Sequence, residues 1–134
     1  GKQLGIGVYS TALKREALSA SDYEAMIASA TQLNTPGPVL ACLDGVHAVT
    51  DVAGFGLLGH LLGMCRGSKV GARVDFAALP LLGKALELVD TGYGAGASRR
   101  NWGSFGHDVS LAESLGDNQR TLLTDPQRAD TCTS

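Results

Sequence analysis

Asp51 is the residue best placed to do chemistry. The run Val49-Thr50-Asp51-Val52-Ala53-Gly54-Phe55-Gly56-Leu57-Leu58-Gly59-His60 ends an apolar stretch in a carboxylate and follows it at once with glycines. Val46, Ala48 and Val49 are short side chains that suit a strand, so Asp51 is expected at a strand's C-terminal end, where α/β sheets commonly place ligands. A carboxylate there suits a metal ion. The backbone N–H groups of Gly54 and Gly56 suit a phosphate, because a residue without Cβ lets an anion approach the chain closely. Leu57, Leu58, Leu61, Leu62 and Met64 follow helical spacing, and a helix beginning there carries partial positive charge at its N-terminus. The alternative is a plain strand-to-helix turn in which Asp51 is the N-cap.

Other residues offer weaker chemistry. Ser98-Arg99-Arg100-Asn101-Trp102 sets two cations beside an amide and the single Trp. That grouping suits an anion or subunit contact, or equally a solvated basic loop with a packed Trp. His60 could act as a ligand or proton carrier, or as a hydrogen-bonded structural residue; His47 and His107 have lesser claims. Asn34 caps the end of a helix before Pro36, and Thr124-Asp125-Pro126-Gln127 reads as a turn. No Ser-His-Asp, Cys-His, HExxH or GxxxxGK[ST] set occurs in the sequence, so the chemistry is not self-contained. Cys42, Cys65 and Cys132 lack CxxC spacing, which supports neither a disulfide framework nor a zinc site; Cys42 and Cys65 are expected as buried small apolar residues.

The elements that must hold these residues alternate along the chain. Leu4 to Val8 reads as a short strand and Thr11 to Leu18 as a short helix. Ser21-Asp22-Tyr23-Glu24 has capping-box spacing, and Met26, Ile27, Ala30 and Leu33 form the apolar stripe of a helix that stops before Pro36. Val39 to Leu43 forms a last helical turn. Beyond the Asp51 strand and its helix, Ala72-Arg73-Val74-Asp75-Phe76 alternates as a half-exposed strand does. Pro80 stands at a first helical position, with Leu82, Ala85, Leu86 and Val89 carrying that helix to Gly92. Residues 92–108 read as a long functional loop rich in glycine, serine and arginine. The expected fold class is α/β (α+β).

Composition sets the outer limits. The chain has 134 residues, 44% hydrophobic and 18% charged, which fits one globular domain. A net charge of -2 gives no general attraction to nucleic acid. No apolar run reaches the roughly 18 residues needed to cross a bilayer, and no signal sequence opens the chain, so a soluble, cytoplasmic protein with no membrane partner is expected. Gly1 in place of Met implies processing or an excised piece of something longer. Glycine, at 18 residues, exceeds the usual ~7% and concentrates near Gly5 and Gly7, after Asp51, and between Gly92 and Gly106.

Taken together, Leu4-Gly5-Ile6-Gly7, Thr31-Gln32-Leu33-Asn34-Thr35-Pro36-Gly37, Val46 to His60, Met64-Cys65-Arg66-Gly67, Gly71-Ala72-Arg73-Val74-Asp75, Arg100-Asn101-Trp102 and Thr124-Asp125-Pro126-Gln127 resemble selenophosphate synthetase (selenide, water dikinase). The resemblance is collinear and covers residues 1–127, as the C-terminal domain of that enzyme within the aminoimidazole ribonucleotide synthetase superfamily. It implies a layered domain with a mixed β-sheet covered by helices. It also implies a reaction that converts ATP, selenide and water into selenophosphate, AMP and phosphate, with Mg2+ bridging the nucleotide phosphates. By that resemblance Asp51 helps hold the metal, and Thr50, Gly54 and Gly56 shape the nucleotide side of the domain interface. The family's N-terminal domain, with its reactive Cys or selenocysteine and its Lys, would precede Gly1, so this fragment holds no catalytic residue, binds nucleotide weakly and is inactive alone. A homodimer is implied as well. The alternatives are another ATP-using enzyme of the superfamily, or a non-catalytic dimerisation or interaction module.

The tail departs from the family. Residues 128–134 replace a Thr-Ser-Gly-Gly turn and an apolar strand with Arg-Ala-Asp-Thr-Cys-Thr-Ser. Codons for Arg128 to Thr133 read two bases later can encode Gly-Gly followed by an alternation of His or Tyr with apolar residues. A frameshift near Gln127 is therefore expected, with loss of a strand and an exposed sheet edge that invites pairing.

Overall fold

The first helix is organised by a residue far away in sequence. In the computed structural model, which describes residues 2–127, Gly5 takes a φ of 115° and turns the chain from Leu4 into α1 (Ile6–Lys14). Gly5 has no side chain to cap that helix. The Asp125 carboxylate does so instead, accepting the Gly7 N–H at 2.9 Å and the Val8 N–H at 3.4 Å. The expected strand Leu4–Val8 is therefore the first turn of a helix, and the expected helix Thr11–Leu18 is its continuation, ending at Lys14. A cap supplied from residue 125 leaves no mark on the local pattern at residues 4–8.

Among the described residues six further helices follow: α2 (Ala20–Thr31), α3 (Pro36–Ala41), α4 (Gly56–Ser68), α5 (Ala85–Asp90), α6 (Gly96–Phe105) and α7 (Asp117–Leu123). Single 3-10 turns lie at Phe76–Ala78 and Gly106–Asp108. Ser19 caps α2 by accepting the Asp22 N–H at 3.2 Å, two residues before the capping box read from Ser21. The α2 stripe is narrower than expected: Met26 is buried, whereas Leu33 lies beyond the helix and is 76% exposed.

The mixed β-sheet is not found. Among the described residues the only β-pairing is a single parallel bridge, Leu4 to Leu81, in which Leu4 N–H donates to Pro80 O at 2.8 Å and Leu82 N–H to Leu4 O at 2.9 Å. The segments expected as strands, 46–51 and 72–76, form no ladder: 46–51 and 72–75 run as irregular backbone and Phe76 opens a 3-10 turn. Alternation marks which side chains would share a face, but a strand is stable only beside a neighbour that takes its N–H and C=O groups. Neither segment has that neighbour here. Pro80 does not open a helix either; it supplies the bridging carbonyl, and α5 begins at Ala85.

The predicted loop 92–108 is mostly helix. In α6 the buried residues are Ser98, Asn101 and Phe105, spaced three and four apart. Glycine and serine content suggested a loop, but one buried face outweighs weak propensity. The two cysteines expected to be buried are not: Cys42 is exposed and Cys65 half-buried. The tail 128–134 lies outside the described residues.

Two apolar clusters share α7. Ile6, Val8, Tyr9, Ala12, Met26, Leu82, Ala85, Leu88, Val89 and Leu122 form one, joining α1, α2, α5 and α7. Leu58, Phe105 and Leu123 form the other, joining α4, α6 and α7. Adjacent residues point about 100° apart on a helix, so Leu122 and Leu123 let one short helix serve both clusters. Tyr9 adds a polar tie: its hydroxyl accepts the Lys84 N–H at 2.9 Å, and burial pushes its ionisation upward.

Candidate functional site

Helix α4 and the segment before it place Asp51 on the rim of a groove of about 630 Å³. Lys2, Gln32, Asn34, Thr50, Asp51 and Gln127 supply its polar side chains, while residues such as Leu33, Leu40, Val49 and Leu57 supply apolar wall. Both Thr50 and Asp51 are exposed. Asp51 is not the N-cap of α4, since that position belongs to Phe55. A single exposed carboxylate offers one hard oxygen ligand. Among the described residues no group of three His, Cys, Asp or Glu could hold a metal ion. By itself Asp51 supplies one oxygen, and a hard cation such as Mg2+ needs several more.

Gly54 and Gly56 do not line the groove; they form the turn behind it. Ala53 O accepts the Gly56 N–H at 3.2 Å and the Gln127 N–H at 3.0 Å. Gly54 O accepts the Asn101 amide at 2.9 Å, and the same Nδ2 reaches Thr124 O at 3.0 Å. Gly56 has a φ of 71°, and a Cβ there would come within 2.5 Å of the Thr124 carbonyl carbon. The site needs glycine at 56 because two backbones touch.

Asp125 is the residue that sequence reasoning missed. It is fully buried, with Oδ2 on the α1 N-terminus and Oδ1 without a partner. Burial raises its pKa from 3.8 to about 7, against the lowering effect of the Gly7 and Val8 N–H groups, Ser98 and Gln127. Ser98 Oγ, which favours the carboxylate, is itself buried without a hydrogen-bond partner. Gln127 Nε2 donates to Asp125 O at 2.9 Å, linking this buried pair to the groove. The one sequence signal was an Asp-Pro pair, which reads as a turn.

The remaining candidates scatter. His60 is half-buried against Phe55, ring centroids 5.8 Å apart, and its Nε2 has no partner. Arg99 and Arg100 are exposed on α6, while Trp102 packs beneath the Arg120 guanidinium, 5.4 Å from the ring centroid. His47 is exposed, and His107 lies 3.7 Å from Asp108, which the Arg66 guanidinium holds below the usual carboxylate range. Asn34 does not cap α2; its carbonyl accepts the Gly37 N–H at 3.0 Å and the residue lines the groove. A second groove of about 1150 Å³ between α4 and residues 108–115 contains none of the sequence-predicted ligands.

Comparison with known proteins supports the resemblance read from the motifs. Selenide, water dikinase of Dechloromonas aromatica (strain RCB) is 61% identical over 127 residues, which is 95% of this chain. The enzymes of the same name from Pseudomonas straminea and Rhizobium meliloti (strain 1021) are 54% and 49% identical over 127 and 126 residues. The chain spans 36% of the length of each of these relatives. Residues 1–118 match the family model described as AIR synthase related protein, C-terminal domain, and the chain belongs to that family.

Proposed function

We propose that residues 1–127 are the C-terminal domain of a selenide, water dikinase, which forms selenophosphate, AMP and phosphate from ATP, selenide and water. The observation that carries this reading is the 61% identity to an enzyme of that name over 127 residues. The groove adds physical support, since it presents Asp51 and Thr50 on one open rim. In this reading Asp51 is one ligand of Mg2+, and the metal, when bound, neutralises phosphate charge in a phosphoryl transfer. Thr50 orients the nucleotide side of the rim, while Gly54 and Gly56 hold the turn that aims both residues. The enzyme acts as a homodimer in the cytoplasm. Alone, the chain binds nucleotide weakly and turns nothing over, because one carboxylate does not complete a metal site.

The test places the matching 127 residues of this chain into the Dechloromonas aromatica enzyme and compares it with its Asp51→Asn variant. The exposed position predicts an unchanged circular dichroism spectrum. Activity should fall on the order of 100-fold or more, the scale of losing one preorganised electrostatic contact. Full turnover by the folded variant would remove Asp51 from the metal site.

A further inference from the structure

We propose that Asn101 is a positioning residue for the Asp51 groove, acting through the turn that follows Asp51. The proposal rests on the reading of Asp51 as a metal ligand. Residues 42–51 are all exposed, and no helix or ladder holds the backbone between residue 46 and the turn at residue 54. The direction in which Asp51 faces is therefore set by the fastening just after it.

That fastening has two parts. The Gln127 N–H holds Ala53 O, and the Asn101 amide holds Gly54 O. Asn101 is only 8% exposed, and its Nδ2 directs its two hydrogens to Gly54 O and Thr124 O at 2.9 and 3.0 Å. One planar NH2 group thus fixes the spacing between two backbones that approach each other at Gly56. Few side chains can do this. Ala leaves two carbonyls without a donor, Ser can serve one, and Asp turns a charged oxygen toward both. The notable neighbours of Asn101 in sequence, Arg99 and Arg100, point to solvent and leave this role to the amide.

Two measurements test the role. The first is hydrogen exchange on the chain itself, read at the Gly56 and Gln127 amides that share Ala53 O. In Asn101→Ala both amides should lose at least about tenfold of their protection while α5 amides keep theirs. The second is Mg2+ half-saturation in the Dechloromonas aromatica enzyme carrying this chain. Asn101→Ala should raise it about 10- to 100-fold, the effect of losing a partner behind a metal ligand. At saturating Mg2+, kcat should recover to within a few-fold.

Leu88→Ala, at a core residue that does not line the groove, provides a destabilised comparison and should leave Mg2+ half-saturation unchanged. If Asn101→Ala does not fold, Asn101→Ser, which retains one donor, is read in the same way with smaller shifts. A folded variant with unaltered amide protection or unaltered Mg2+ half-saturation overturns the proposal. Asp51→Asn separates this failure from the larger one. An inactive Asp51→Asn with an unaffected Asn101→Ala removes only the positioning role, whereas an active Asp51→Asn removes the metal reading on which it stands.

Discussion

At Asp125 the two carboxyl oxygens meet different surroundings, Oδ2 accepting the α1 N–H groups and Oδ1 buried without a partner. With burial raising its pKa from 3.8 to about 7, the folded protein binds this proton more tightly than the unfolded chain does. Stability from this group is therefore fully present below the unfolded carboxylate pKa and is lost as pH rises through about 7. A shift of this size corresponds to on the order of 4 kcal/mol. Denaturant titrations at several pH values should show wild type losing stability relative to Asp125→Asn between about pH 4 and 7. Asn keeps an acceptor for the α1 N–H groups and carries no charge, so it mimics the protonated acid. A stability difference between the two that does not change with pH would contradict the assignment. Asp51 was visible in the sequence as a candidate ligand, its role a proposal, because a carboxylate before a glycine turn is a local pattern. Asp125 was not, because its meaning lies in Gly7 and Val8, at the other end of the chain.

Among the elements, legibility followed locality in the same way. Helix α4 shows in the spacing of Leu57, Leu58, Leu61 and Leu62, and α2 shows in Met26 with its serine-rich start. Helix α6 was hidden by glycine and serine, although Ser98, Asn101 and Phe105 already had the spacing of one buried face. Helix α7 was not foreseen at all; its start rests on the Gln119 side chain, which accepts the Gly116 N–H at 3.0 Å. The mixed sheet was expected from the family resemblance and the 72–76 strand from alternation, and alternation cannot report whether a partner strand lies alongside. The junction of the α4 start with residue 124 gives a test at this scale. Gly56→Ala would force a Cβ to within 2.5 Å of the Thr124 carbonyl carbon at a φ of 71°. It should cost about 1–3 kcal/mol or more in urea unfolding, from the strained backbone with the contact added. Unchanged stability would mean that this junction is looser than its geometry.

For the molecule as a whole, the helices enclose two clusters joined through α7, and the groove lies where residues 2–4, 33–40, 49–52 and 127 converge. Much apolar surface remains outside those clusters, including Leu33, Val39, Leu40, Leu43, Val49 and Phe55. Among the described residues no helix is long and apolar enough to cross a membrane. The chain spans 36% of the length of its relatives and presents Asp51 in an open groove. The most direct measurement is phosphorus NMR of the Dechloromonas aromatica enzyme carrying this chain in place of its own matching region, supplied with ATP, Mg2+ and selenide. The account predicts selenophosphate and AMP forming together, and no turnover by the 134-residue chain alone. A folded hybrid that consumes no ATP, or that forms no selenophosphate, would contradict it.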